Sequence, residues 1–479
     1  MQTTFLWHDY ETFGVDPRRD FPAQFAALRS DAAFQPIGEP LVLYCRPPAD
    51  LLPSPEACLI TGITPQLAAR DGVPEPEFFA RIHEQMAEPG TCTLGYNSIR
   101  FDDEVTRHGL WRNFFDPYGR EWRNGCSRWD LIDVARMFYA LRPQGVAWPT
   151  RADGAASFKL SDLSAANHIA HSHAHDALAD VEATLALARL LRSAQPRLFD
   201  YLFALREKRK AAALLDWAGQ TPVLHASTRF SAERGGLAMV LPLAPHPTQP
   251  NGVIVLDLDA DPQPLLELSI ADIRDRVFVA NKDLPEGVAR IPLKTVHTNK
   301  CPALAPLATL AGVDTARIRL NVERCQRHLE QVRSRAELPG KVRQVFAEVA
   351  AYPAQAAEQD LYAGLPGNAD LALAAKVRGA RPDQLLAFEA QFVDPRYREL
   401  LFRYRARHHA DTLTGEEQSR WRQWRRRRLI DDPDLPERGL IAVLERLAAL
   451  RSACASDGHA LTTLDQVEAW CRAAMADLQ

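Results

Sequence analysis

The sequence predicts three successive parts, an α/β domain, a small β-rich domain and an all-α segment, on three observations. Residues 1–192 alternate strand-like and helix-like hydrophobic patterns. Residues 196–348 break into short β-rich runs between Pro, Asn, Asp and Gly clusters, and from 352 to 479 helical patterns replace them. The length agrees, since 479 residues at about 150 per domain make roughly three domains.

Taken in order, residues 3–10 read as a short buried strand, 41–45 and 92–96 as two more, and 75–88 and 103–111 as helices. From His175 to Arg192, Leu178, Val181, Leu185, Ala188 and Leu191 recur at spacings of three and four, the pattern of a helix with one buried face, and Gln195-Pro196 interrupts it. In the second part, 238–243, 252–258, 276–280 and 289–296 read as strands. In the third, 371–377, 395–407, 415–428 and 439–452 read as helices.

With 46% hydrophobic and 25% charged residues the composition is that of a globular protein. The 57 basic and 61 acidic residues leave a formal charge of -4, which excludes a uniformly basic coat but not a local basic groove. No run of about 18 apolar residues occurs and the N-terminus lacks the parts of a signal peptide, so a cytoplasmic protein without membrane contact is expected. The eight cysteines form no C-x-x-C pair, so they read as buried thiols and not as a disulfide framework or zinc knuckle.

Three short segments carry chemistry. The first strand ends in His8-Asp9-Tyr10-Glu11, where alternation puts Asp9 and Glu11 on one side, suited to a divalent cation; a solvated strand end is the plainer reading. Next, an apolar strand runs through Asn97 into Phe101-Asp102-Asp103-Glu104 and a helix, bringing Asp102 to the same carboxyl edge of the sheet. There a helix cap by Asp102 or Asp103 is the alternative. The third segment is His171 to Asp180. With a helix starting near Asp176, Asp180 lies on its second turn and His175 in the loop before it, the placement of a base beside a metal site. A three-histidine metal tract of His171, His173 and His175 is the rival reading, with no cysteine nearby to complete a zinc site.

In this order, Asp-x-Glu, Asn-x-x-x-Phe-Asp and His-x4-Asp resemble the three motifs of the DnaQ-like (DEDDh) exonuclease superfamily. HDYETFG (8–14), PAQFAALRSD (22–31), LITGITPQ (59–66), RFDDEVTR (100–107), SRWDLIDVAR (127–136), HDALADVEAT (175–184), QPRLFDYLF (195–203), HTNKCP (297–302) and LLFRYRAR (400–407) closely resemble the bacterial exodeoxyribonuclease I family, across nearly the whole chain. The resemblance implies an RNase H-like (DnaQ-like) exonuclease domain, an SH3-like β-rich domain and an all-α C-terminal domain. It implies Asp9, Glu11, Asp102 and Asp180 as the metal-binding acids, and His175 as general base. It implies two Mg²⁺ ions with Mn²⁺ as a substitute, since hard cations favour an all-carboxylate shell and a pair about 4 Å apart serves phosphodiester hydrolysis. The reaction implied is processive 3′→5′ hydrolysis of single-stranded DNA to 5′-mononucleotides, in DNA repair or recombination, by a monomer that also binds the acidic C-terminal tail of single-stranded-DNA-binding protein. Two other readings use the same residues: an exoribonuclease or proofreading DEDDh nuclease, whose chains are shorter, and a non-catalytic single-strand binder, which the five filled positions do not favour.

A nucleic-acid partner also fits the local charge. Between Arg107 and Trp129, five arginines stand against two acids and alternate with six aromatic residues, as single strands require. About half of these rings are expected in the core, with Tyr118 and Trp122 exposed. By resemblance Arg107, Arg136, Arg142 and Lys159 contact the DNA backbone, along with Asn299 and Lys300 of the β-rich part; Glu11 and His175 also touch substrate. At 159 the family has arginine, so lysine keeps the charge and loses the two-pronged fork. From Arg396 to Arg428, eleven arginines face four acids, a net of +7. The RYRAR stretch (403–407) is expected to line a channel that joins the SH3-like and helical domains around the strand, and Arg425 to Arg428 reads either the same way or as a solvated face.

Overall fold

The computed structural model describes residues 3–171, 175–348, 355–430 and 438–478. The chain forms two compact units, Met1–Ser127 with Ser172–Glu182 and Ala354–Gln479, and Arg128–His171 with Ala183–Pro353.

The first unit is built on strands β1 (Thr4–Thr12), β2 (Pro22–Ser30), β3 (Leu41–Tyr44) and β4 (Thr91–Gly95). They lie in the order β3-β2-β1-β4, with β1 antiparallel to β2 and parallel to β4. The strands expected at 3–10, 41–45 and 92–96 are β1, β3 and β4, and the helices expected at 75–88 and 103–111 are Glu75–Met86 and Asp102–Arg112. β2 is additional. It is buried along nearly its whole length, so it lacks the alternation that marks a half-exposed strand.

The C-terminal helices belong to the same unit. Leu440–Ala453 and Gly458–Ala476 bury Leu440, Val443, Leu447, Leu464, Val467 and Cys471 against Phe13, Phe21, Leu51 and Cys58. Pro395–His408 and Asn368–Gly379 pack Tyr397, Leu400 and Leu373 on Trp111 and Phe114, at the end of the Asp102–Arg112 helix.

The RYRAR stretch is a correction. Arg403, Arg405 and Arg407 are enclosed by protein, and their partners are carboxylates: Arg403 and Arg407 meet Glu358, Arg407 also meets Asp50 at 2.6 Å, and Arg405 meets Glu417 at 2.5 Å. Arg428 adds bonds to Glu358 at 3.1 Å and to the Arg19 carbonyl, and Arg425 pairs with Asp477. The local excess of +7 omitted Asp50, Glu358 and Asp477, which lie outside the counted stretch. Of the 425–428 tract, Arg426 and Arg427 are exposed. Burial alone would raise the Asp50 carboxyl, but Arg407 and Arg428 hold it down at about 2, and the arginines hold Glu358 well below the usual range.

The second unit contains β5 (Ser127–Asp130, from Arg128 on) and a sheet of β6 (Val223–Ala226), β7 (Leu237–Pro245), β8 (Gly252–Asp257), β9 (Leu293–His297) and β10 (Ala303–Pro306). Its order is β10-β6-β7-β8-β9, all neighbours antiparallel. The strands expected at 238–243, 252–258 and 289–296 correspond to β7, β8 and β9. The one expected at 276–280 does not form: Ile270–Phe278 is a helix, started by Ser269, whose hydroxyl accepts the Asp272 N–H.

Candidate active site

β1 and β4 run parallel with Trp7 beside Leu94, so their carboxyl ends emerge together. At Gly95 the chain passes so close to β1 that a Cβ would stand 2.7 Å from the His8 carbonyl oxygen, and Asn97 then turns with φ 64. This tight exit starts the Asp102–Arg112 helix directly under β1. Its cap residue is Phe101, which makes no side-chain cap, and the Asp102 carboxylate instead accepts the Tyr10 N–H at 3.0 Å. The neighbouring Asp103 pairs at 2.6 Å with Arg120, both buried. Of two adjacent aspartates, one is thus neutralised and the other bonds to the strand that carries Asp9 and Glu11.

The third contribution comes from the helix Ala177–Ala194. Asp176 accepts the Ala179 N–H at 3.1 Å and fixes its first turn, with Asp180 on that turn. His175 stands just before it, exposed, with φ 70. Ligand atoms of Glu11, His175 and Asp180 all lie within 4.8 Å of one another. His171 is described but forms no part of this group, and His173 lies outside the described residues.

Charge on this group is held at a cost. Burial, then Asp102, Glu11, Asp180 and Asp176, raise the Asp9 carboxyl well above the usual range. Burial, then Asp180, Asp102 and Asp176, push Glu11 up to about 9. Asp176 is thus a further acid of the site that sequence reasoning passed over, although it directly follows His175. A compact set of carboxylates that repel one another, with no thiolate among them, fits hard divalent cations.

The sign of the pH effect follows. Unfolded Glu11 titrates near 4.5 and folded Glu11 near 9, so its contribution to stability is full below about pH 4.5 and is lost as pH rises toward 9. A cation that displaces the proton reverses the loss. Thermal midpoints of the metal-free protein are therefore expected to fall from about pH 5.5 to 8.5 more steeply than those of Glu11→Gln, and Mg²⁺ should raise the wild-type midpoint more at the higher pH. Equal Mg²⁺ effects at both would contradict the coupling.

The expected DNA contacts divide. Trp122 is 64% exposed with Arg123 against its ring, as expected. Tyr118, also expected exposed, is half-buried, with its ring packed on the helical core and facing the Arg107 guanidinium at 5.5 Å. Arg107 is only 5% exposed and bonds to Glu121, Glu104 and the Tyr362 hydroxyl, so its charge is matched inside the protein and not held open to phosphate. Of the other rings, Trp111, Phe114 and Trp129 are buried. In the second unit Arg136 pairs with Asp133 at 2.7 Å and lies over Phe158, and half-buried Arg142 bonds to the Leu141 carbonyl. Lys159, Asn299 and Lys300 are exposed.

An α/β sheet that brings acids from one strand and two helix starts together with a histidine defines a nuclease of the exonuclease class, and the Exonuclease family model matches residues 6–188. The Exonuclease I SH3-like domain matches residues 206–348 and the Exonuclease I C-terminal domain matches 355–474. Exodeoxyribonuclease I of Escherichia coli (strain K12) is 49% identical over 426 residues, covering 89% of this chain and 90% of that protein. Among solved structures, E. coli exonuclease I in complex with a dA16 oligonucleotide superposes with a TM-score of 0.94 at 46% identity, over 99% of this chain and 100% of that one. The zinc-bound form of the E. coli exonuclease I–single-stranded DNA complex gives 0.93 at 46%, with the same coverage. The chain belongs to the exodeoxyribonuclease I family, with its exonuclease, SH3-like and C-terminal domains. No described helix is long and apolar enough to cross a membrane.

Proposed function

We propose that this exonuclease removes nucleotides from the 3′ end of single-stranded DNA, releasing 5′-mononucleotides processively with two Mg²⁺ ions, as a cytoplasmic, monomeric repair enzyme. The observation that carries the reading is the grouping of Glu11, His175 and Asp180 within 4.8 Å, beside Asp9 and Asp102. Relatives captured with an oligonucleotide, and with zinc and single-stranded DNA, support the substrate and the use of a divalent cation.

In this reading Asp9, Glu11, Asp102 and Asp180 hold the cations. When bound, these supply the charge that acidifies the attacking water and neutralises the leaving 3′ oxygen. The chain's own groups do the rest. The Tyr10 N–H fixes Asp102, the Asp176 cap fixes the turn bearing Asp180, and a ring nitrogen of His175 takes the proton of the attacking water. Trp122 offers a face on which a base stacks. Lys159, Asn299 and Lys300, and less directly Arg136 and Arg142, meet the backbone, while Arg107 serves by holding the Tyr118 ring. Residues 1–192 act as the nuclease domain, with 196–348 and 352–479 as its SH3-like and helical companions. The acidic tail of single-stranded-DNA-binding protein is a further partner.

With Mg²⁺, the protein should shorten 5′-labelled single-stranded DNA one nucleotide at a time and leave duplex DNA and RNA intact. Internal cuts, shortening from the 5′ end, or equal digestion of RNA would contradict the reading.

A further inference from the structure

Three strands of the first unit place one residue each in a lateral row. Glu11 of β1 stands opposite Gln24 of β2, and Gln24 opposite Tyr44 of β3. Opposed residues of antiparallel strands share a face, so Gln24 and Tyr44 project on the side of the sheet that carries Glu11. Gln24 is only 2% exposed, in a strand whose neighbours Ala23, Phe25 and Ala26 are apolar. A buried amide is costly unless its polar ends are paired.

Its pairing points at the site. Gln24 Oε1 accepts the N–H of Ala177 at 3.2 Å, and Tyr44 stands across from it on β3. Ala177 is the first residue of the Ala177–Ala194 helix, two positions after His175 and three before Asp180. His175 itself is held at φ 70, a conformation unfavourable to a residue with a Cβ, which persists only where its surroundings fix it. Asp176 secures the turn from its N-terminal end, and Gln24 adds a bond from the sheet beside Glu11.

We infer that Gln24 is a positioning residue, which anchors the first turn of this helix to the strand row of Glu11 and so sets where His175 and Asp180 stand relative to that carboxylate. The inference rests on the proposed function. An amide that merely filled the sheet would matter to stability and not to the rate or to cation affinity.

The test compares wild type with Gln24→Met, which keeps length and loses the bond to Ala177, Gln24→Glu, which keeps an acceptor for Ala177, and Tyr44→Phe, which leaves that bond in place. The readouts are kcat and KM on single-stranded DNA, Mn²⁺ affinity by calorimetry, DNA binding in EDTA, and thermal midpoint. Gln24→Met should lower kcat about 10- to 100-fold and weaken Mn²⁺ binding, as loss of groups that orient metal ligands does. KM and DNA affinity in EDTA should stay within about twofold. Gln24→Glu should recover most of the rate, and Tyr44→Phe should keep kcat and Mn²⁺ affinity within about twofold of wild type. A Gln24→Met kcat within about twofold of wild type, a loss that Gln24→Glu does not recover, or a loss no larger than the unfolded fraction would each overturn the inference. Should Gln24→Met fail to fold, Gln24→Leu, of similar volume, decides, and full kcat and Mn²⁺ affinity there would overturn it. An inactive wild-type protein would instead contradict the proposed function, and Mn²⁺ affinity would still report on Gln24.

Discussion

Replacing Asp9 or Asp180 with alanine should lower hydrolysis of single-stranded DNA by more than about 10³-fold, while binding of the same DNA in EDTA stays unchanged. Each substitution removes a cation-holding carboxylate, and a loss of about 4 kcal/mol of transition-state stabilisation corresponds to that factor. The binding half of the prediction follows from charge. Asp9 lies in a cluster that raises its own carboxyl well above the usual range, so removing one acid there does not remove an attraction for phosphate. Removing the proposed base tests a different step. His175→Ala should lower kcat about 10²- to 10⁴-fold with little change in KM. Full activity in either aspartate variant, or a His175→Ala effect confined to KM, would contradict these roles.

The second large effect concerns stability. Glu358 is 2% exposed and receives Arg403, Arg407 and Arg428, with Asp50 fully buried beside Arg407. Glu358→Gln leaves Arg407 and Arg428 sharing Asp50, and Arg403 with Glu399 alone. Breaking one member of such a buried group typically costs about 3 to 5 kcal/mol, because the charges left behind lose their counterion without regaining water. The thermal midpoint should therefore drop by about 10 °C, measured by circular dichroism. The chain around Phe21, which packs against Arg112, Arg407 and Arg428, should loosen with it. A loss below about 1 kcal/mol would show that these ion pairs are open to solvent. Arg426→Ala and Arg427→Ala, on the exposed side of the same helix, should change stability little.

The contrast between these arginines shows where sequence reasoning reaches and where it stops. The candidate site was legible because Asp9 and Glu11, Asp102, and His175 with Asp180 each sit in a short motif that can be read locally, although the fold joins those motifs across long stretches of chain. Asp176 escaped because capping and charge are both served by one side chain, and Gln24 because its partner Ala177 lies 153 positions away. The same distance misled the reading of RYRAR: Arg407 finds Asp50 across 357 positions, which no local count of charge registers. Tyr118 and Arg107 were misjudged alike, since the helical segment that covers them, including Tyr362, follows some 250 residues later. In the fold, β4, β7 and β8 were legible although they are buried on both faces, whereas β2, equally buried, was missed. The helix Ile270–Phe278 was mistaken at its C-terminal end, where Val277 and Phe278 read as β-formers and Ser269, the residue that starts the helix, lies outside the window.

The claim on which the account depends is that divalent cations sit among Asp9, Glu11, Asp102 and Asp180, beside His175. The most direct measurement is anomalous diffraction from crystals soaked in Mn²⁺ at a concentration that supports full activity. The account predicts anomalous peaks bounded by these four carboxylates, and their loss in crystals of Asp180→Ala. Peaks elsewhere on the chain, with none at Glu11 and Asp180, would contradict it.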